Sequence, residues 1–153
     1  MFTPLWTVQT FSGLKADQLF DILQLRVNVF VVEQQCAYPE IDAYDRQVET
    51  RHLQGHDTCG NLVAYARLLP AGLHFSDVCV GRFVVQKDMR GQGLGHQLLR
   101  RSLDEVRQLW SGCSVKLSAQ TYLKDFYMQY GFTPVSEIYR DAGIPHIDMR
   151  KES

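Results

Sequence analysis

No two of the four cysteines, Cys36, Cys59, Cys79 and Cys113, stand in a C-x-x-C spacing, and the gaps between them are wide. That excludes a zinc knuckle and a dense disulfide scaffold, and it predicts reduced thiols. The histidines His52, His56, His74, His96 and His146 form no ligand spacing, so no metal is expected. No apolar run approaches the roughly 20 residues that cross a bilayer. The stretch Met1–Trp6 lacks a basic region followed by a long apolar one, so a cytoplasmic location is expected. Charge of one sign is also missing: 16 Lys plus Arg against 17 Asp plus Glu leave a net charge of -1. This balance offers no reason to expect nucleic acid or an anionic membrane as a partner. Repeats, low-complexity tracts and linkers are absent, so the 153 residues read as one domain (1–153), its core over about residues 6–150.

What is present is a sequence of alternating patterns. Trp6–Phe11 alternates as a strand does. From Leu14 to about Phe30, the apolar residues Leu19, Ile22, Leu23, Val27 and Phe30 recur at helical spacing, and Val29–Val32 either ends that helix or is extended. Glu33–Glu49 is polar and irregular, and loops of such length are usually functional. Arg51–Gly55, Leu62–Leu69 and the central-looking Val78–Gln86 read as strands. An amphipathic helix from Leu94 to Trp110, a strand Ser114–Ala119 and a short helix Leu123–Tyr130 follow. Phe132–Tyr139 and Pro145–Arg150 then form two strands around the turn Arg140–Gly143. The order predicts an α+β domain with one mixed, twisted sheet and helices on its faces.

Between the central strand and the amphipathic helix, Gly91, Gly93 and Gly95 alternate. Glycine lets backbone N–H groups approach a ligand with no Cβ in the way, and a helix N-terminus adds unpaired donors and partial positive charge. An anion such as a pyrophosphate fits this pattern, with Lys87 and Arg90 adding charge; a tight turn alone is the plainer alternative. A dinucleotide fingerprint is excluded because His96 stands three residues after Gly93, and a P-loop because no lysine follows the glycines.

Arg90-x-x-Gly93-x-Gly95 resembles the acyl-CoA pyrophosphate motif of the GNAT acetyltransferase superfamily, and Phe126-Tyr127-x-x-x-Gly131-Phe132 resembles its F-Y-x-x-x-G-F segment. Leu25–Tyr38, the acids Asp42 and Asp45 before Arg51-His52, Val63–Arg67 and Gly143–Ile147 resemble, in order, segments of the ElaA-type members. The resemblance implies a GNAT fold: a sheet of about six or seven strands whose central parallel pair splays apart, with helices on both faces. It implies acetyl-CoA as acyl donor, with Phe83, Val84 and Val85 along the pantetheine arm and Arg90, Gly91, Gln92, Gly93, Leu94, Gly95 and His96 around the pyrophosphate. Arg90, Arg100 or Arg101 would meet the 3′-phosphate. Gln120 stands where many members carry an asparagine and would also touch the cofactor; Leu123 stands where a small residue is common.

Aminolysis of a thioester needs a donor for the developing oxyanion, an acid for the leaving sulfur and a base for the amine. The resemblance assigns the oxyanion donor to the amide of Val84 or Val85 and the acid to Tyr127, which is otherwise a packing aromatic. Glu33 and His52 are the candidates for the base and for substrate contact; alternatively Glu33 pairs with Arg26 or another arginine, and His52 is a strand histidine. His146 lines the acceptor side or caps a strand end. Glu40, Asp42 and Asp45 either draw a cationic acceptor or form a solvated loop. The expected acceptor is an amine of a small molecule or a protein, and the expected assembly is a monomer or homodimer. Two other functions remain open at this point. One is an acyl-homoserine-lactone-synthase-like acyltransferase, which the R-x-x-V-F segment also resembles; the other is a non-enzymatic acyl-CoA sensor.

Overall fold

The computed structural model describes residues 2–153; Met1, the first residue of the expected domain, lies outside them. The strands are β1 (Leu5–Gln9), β2 (Arg51–His56), β3 (Leu62–Leu69), β4 (Val78–Val85), β5 (Val115–Gln120), β6 (Thr133–Pro134), β7 (Tyr139–Asp141) and β8 (Ile144–Lys151). The helices are α1 (Ala16–Val27), α2 (Leu94–Leu109) and α3 (Lys124–Met128). One mixed sheet runs in the order β1-β2-β3-β4-β5-β8-β6, with β7 also on β8. Among the described residues only β4 and β5 pair in parallel; the other neighbours are antiparallel.

The helices cover both faces because β3 and β4 are apolar on both. Ala64, Ala66 and Leu68 pack with Leu94, Leu98, Leu99, Leu103 and Val106 of α2, each fully buried leucine contributing roughly 1.5–3 kcal/mol. Tyr65, on the other face, packs with Ile22 and Leu25 of α1, with Val29 just after it and with Val84. Helix α1 does not stop at Val27: Asn28–Glu33 continues as a π-helix, with Gln34 N–H donating to the Val29 carbonyl at 3.1 Å and Cys36 N–H to that of Val31 at 3.0 Å. The Val29–Val32 stretch therefore forms the π-helical end of that helix and is not extended. Among the described residues no helix is long and apolar enough to cross a membrane, and the four cysteines form no disulfide.

One strand expectation fails. Phe132–Tyr139 is not continuous but two short pairings with β8, which brings the sheet to eight strands. Pro134 has no N–H to give the ladder. Ser136 Oγ then accepts the Asp148 N–H at 2.9 Å, a place that a backbone carbonyl would otherwise take, and the chain bows outward until Tyr139. A tight Ala142-Gly143 turn, φ +51° and +82°, joins β7 to β8.

The long loop after α1 is pinned by buried charge. Arg26, 0% exposed, donates Nε to Glu40 at 2.6 Å, Nη1 to Asp45 at 2.7 Å and Nη2 to the Glu40 carbonyl at 3.0 Å. Arg67 on β3 donates to Asp42 at 2.7 Å and to Asp45 at 3.0 Å. Arg82 on β4 donates to Glu40 at 2.8 Å and to Asp42 at 3.2 Å. Three cations thus meet three carboxylates, and the loop is drawn onto the sheet. Burial by itself would raise the Asp45 carboxyl, but the Arg26 hydrogen bond and the charges of Arg26 and Arg67 bring it down from 3.8 to about 2.

Arg26→Met leaves two buried carboxylates short of a partner and should lower stability by about 3–5 kcal/mol, measured by urea unfolding. Because Asp45 is depressed in the folded chain, its contribution should be complete above pH 3.8 and lost as the pH falls towards about 2. A urea midpoint unchanged across that window would contradict it.

Candidate functional site

Strands β4 and β5 pair only at Val78–Val115 and Cys79–Lys116, although they run on to Val85 and Gln120. Beyond that point they part. On its β3 side, β4 carries a bulge: the register passes from Arg67–Gly81 to Tyr65–Val84, so Arg82 and Phe83 together oppose Ala66. Arg82 sits at φ +48°, a conformation that costs a non-glycine residue about 1–3 kcal/mol. Its guanidinium, held by Glu40 and Asp42, keeps it there. The gap opens into a cleft of about 730 Å³ that passes between the strands.

On the α2 side the cleft is lined by Phe83, Val85, Arg90, Gly91, Gly93, Leu94, Gly95, His96, Phe126 and Tyr127. Gln86 N–H donates to the Val63 carbonyl at 2.8 Å, so Val84 belongs to the β3 ladder and Val85, one residue away, turns its amide into the gap. Of the two expected oxyanion donors, the ladder therefore occupies Val84 and leaves Val85. Gly91 and Gly93 have φ of +80° and +78°, and a Cβ added to either meets nothing within 4 Å, so the space above the turn is open. Gly93 caps α2, whose first bond is Gln97 N–H to the Gly93 carbonyl at 3.2 Å, and the N–H groups before it have no intrahelical partner. Gln92 is exposed and does not line the cleft, unlike its neighbours in the loop.

Tyr127 is 5% exposed and packs edge-on against Phe83, Phe126 and Phe132, with centroids 6.1, 5.2 and 5.9 Å away. Burial raises its phenol far above the ordinary value, so it stays protonated. Arg90 grips Glu33 with both terminal nitrogens, at 2.5 and 3.1 Å, and donates Nε to the Val85 carbonyl at 3.1 Å. The Arg90 hydrogen bond pulls the Glu33 carboxyl below its ordinary value, which makes it a weak base in this pairing.

The α1 side is lined by Gln34, Cys36, Tyr38, His74, Phe75, Ser118, Gln120, Asp141, Ala142 and His146. Gln120 donates to Gln34 at 3.3 Å, and Cys36 Sγ donates to the Ala142 carbonyl at 3.3 Å, so the long loop and the β7–β8 turn meet over the cleft.

His52 is not in the cleft. It is 0% exposed, its Nε2 donates to the Asp45 carbonyl at 2.9 Å, and its Nδ1 therefore accepts from Tyr65 Oη at 2.7 Å. Both ring nitrogens are occupied and burial holds the ring neutral, so neither the catalytic nor the substrate-binding role survives; His52 fixes the loop through Asp45. Glu33 pairs with Arg90, not Arg26. Glu40, Asp42 and Asp45 face their arginines instead of attracting an acceptor. Three contributors escaped sequence reasoning: Arg82, whose bulge has no sequence signal, and Ser118 and Tyr139, which meet only in the folded sheet.

The sequence matches the model of the "Acetyltransferase (GNAT) domain" over residues 21–153. It is 42% identical over 147 residues to Protein ElaA of Escherichia coli, covering 96% of this chain and 95% of that one. The crystal structure of E. coli ElaA superposes with a TM-score of 0.91, at 40% identity, over 97% of this chain and 99% of that one. A structure described as an acyl-CoA N-acyltransferase from Pseudomonas aeruginosa gives 0.93 at 44% identity, over 97% and 99%. The CoA-dependent acyl-homoserine lactone synthase BjaI shares the fold alone, with a TM-score of 0.79 at 19% identity over 97% of this chain and 83% of that one. By the extent of the domain match and by these identities along nearly the whole length, the chain belongs to the GNAT acetyltransferase family.

Proposed function

We propose that this chain is an acetyl-CoA-dependent N-acetyltransferase that moves an acetyl group to an amine of a small molecule or a protein by direct attack on the thioester. The observation that carries this reading is the gap itself. It has an open glycine turn at a helix N-terminus at one end, an unladdered amide in its wall and a protonated phenol beside it. The open space over Gly91 and Gly93 accommodates a pyrophosphate, and the free edge of β4 accommodates an extended pantetheine arm. The P. aeruginosa neighbour, described as an acyl-CoA N-acyltransferase, is consistent with the donor.

Bound there, acetyl-CoA supplies an activated thioester acyl group. The chain supplies the rest. The amides from Gly93 to His96 and the Arg90 guanidinium hold the phosphates. For Arg90 to do so it must release Glu33, which then regains basicity. Val85 N–H is placed for the oxygen on which negative charge develops. Tyr127 is the acid for the departing sulfur, a phenol that burial keeps protonated until the thiolate leaves. No particular observation favours the lactone-synthase or sensor alternatives. A cytoplasmic site of action accompanies the proposal.

The test is a panel of alkyl, arylalkyl, polyamine and lysyl-peptide amines with acetyl-CoA, following release of free thiol. Transfer to at least one amine is expected; acetyl-CoA binding with no transfer to any would favour a sensor and overturn the enzyme. Tyr127→Phe should lower kcat about 100-fold and leave acetyl-CoA affinity within about twofold, by calorimetry. Unchanged turnover would remove Tyr127 as the acid.

A further inference from the structure

The two faces of the splayed pair differ in chemistry. Leu117, Ala119, Ile147 and Met149 belong to the core under α2, as does Tyr127. Their neighbours alternate to the opposite face, so Ser118, Gln120, His146 and Asp148 face the α1 side. The acid proposed above therefore stands on one side of the sheet, and an acceptor entering from the other side would meet Ser118 and His146.

Both of these groups have their hydrogens committed elsewhere. His146 Nδ1 lies 2.7 Å from the Ile144 carbonyl, which can only accept, so Nδ1 carries the hydrogen. In the neutral ring Nε2 is then a bare lone pair on a residue that lines the cleft. Tyr139 Oη donates to Asp148 Oδ1 at 2.5 Å, and burial with this bond pushes its phenol up to about 12. With that hydrogen engaged, the bond between Ser118 Oγ and Tyr139 Oη takes its hydrogen from Ser118. Ser118 is left with lone pairs towards the cleft. The Tyr139 ring joins the two arms, since it stacks on His146 with centroids 6.1 Å apart.

Resting on the acetyltransferase reading, we infer that His146 Nε2 is the general base and that Ser118 Oγ is its companion acceptor, together forming a subsite for a primary amine. A primary amine brings two N–H donors and one attacking lone pair. One N–H meets Ser118 and the other meets His146, which leaves the nitrogen lone pair for the acyl carbon. As the N–C bond forms and the C–S bond breaks, the amine proton passes to His146 Nε2 and the Tyr127 hydroxyl proton passes to sulfur. The imidazolium then returns a proton to solvent and the phenolate takes one back, so the cycle balances. A secondary amine has only one N–H and cannot satisfy both acceptors. The titratable and charged groups on the elements around His146 are Tyr139 on β7, Asp148 on β8 with Lys116 of β5 3.7 Å from it, Asp141 at the β7–β8 turn, and Glu33 and Tyr38 of the loop side.

The experiment uses the full chain, acetyl-CoA and the best primary amine of the panel beside its N-methyl derivative. His146→Gln should lower kcat/KM by about 10²–10⁴-fold and abolish the decline of kcat/KM towards acid pH, with acetyl-CoA affinity by calorimetry within about twofold of wild type. Ser118→Ala should raise the acceptor KM about tenfold, which keeps the inference testable if the histidine variant folds poorly. The N-methyl amine should be a much poorer acceptor for wild type than for Ser118→Ala. If wild type transfers acetyl while His146→Gln keeps its rate and acid decline, the base assignment falls alone. If Ser118→Ala leaves KM and the primary-to-secondary preference unchanged, the subsite falls. A wild-type chain that neither binds acetyl-CoA nor transfers acetyl overturns the acetyltransferase reading, and this inference with it.

Discussion

The fold depends on how Arg26 is satisfied. A guanidinium with no exposure must find its acceptors inside the protein, and here they come from Glu40 and Asp45, 14 and 19 residues along the chain. Such a charge left unpaired would be costly enough to unfold a small domain, whereas paired it adds little net stability. Its effect is to specify geometry. The loop must return to the sheet with both acids facing inward, and Arg67 and Arg82 complete the charge balance from β3 and β4.

That balance reaches the cleft through Arg82. The residue occupies a left-handed conformation inside a strand, and its guanidinium is bonded to Glu40 and Asp42. The bulge it makes turns β4 away from β5 after Cys79, and the parting of these strands is the cleft. Packing and electrostatics are thereby linked: the ion network that anchors the loop also shapes the wall in which Val85 presents its amide. His52 belongs to the same assembly, since it holds the Asp45 carbonyl from below. A sheet opened in this way lets a donor and an acceptor approach a common point from opposite faces.

Much of this was legible in the residues. The apolar positions of α2 follow one helical face, and the glycines before it allow the positive φ observed at Gly91 and Gly93. Tyr127 and the donor-side residues other than Gln92, which the family resemblance had singled out, line one cleft. Less legible was the stretch Phe132–Tyr139, which reads as one strand but loses its middle after Val135, where Ser136 Oγ takes the Asp148 N–H. His52 was left between a base and a strand histidine because a histidine between strand residues carries no mark of whether it faces core or cleft, and here it is sealed beneath the loop.

Sequence alone determined the local features: element order, the glycine turn, the amphipathic helix and the family motifs. These depend on neighbours a few residues apart, through backbone stereochemistry and side-chain periodicity. Tertiary structure alone decided the partners: which arginine takes which acid, that Glu33 meets Arg90, that Val84 enters the ladder while Val85 does not, and that Tyr139 joins Ser118 to Asp148. The bonds of Tyr139 to Asp148 and Ser118, 9 and 21 residues away, are set by strand register. A one-residue change of register would turn every such group to the other face.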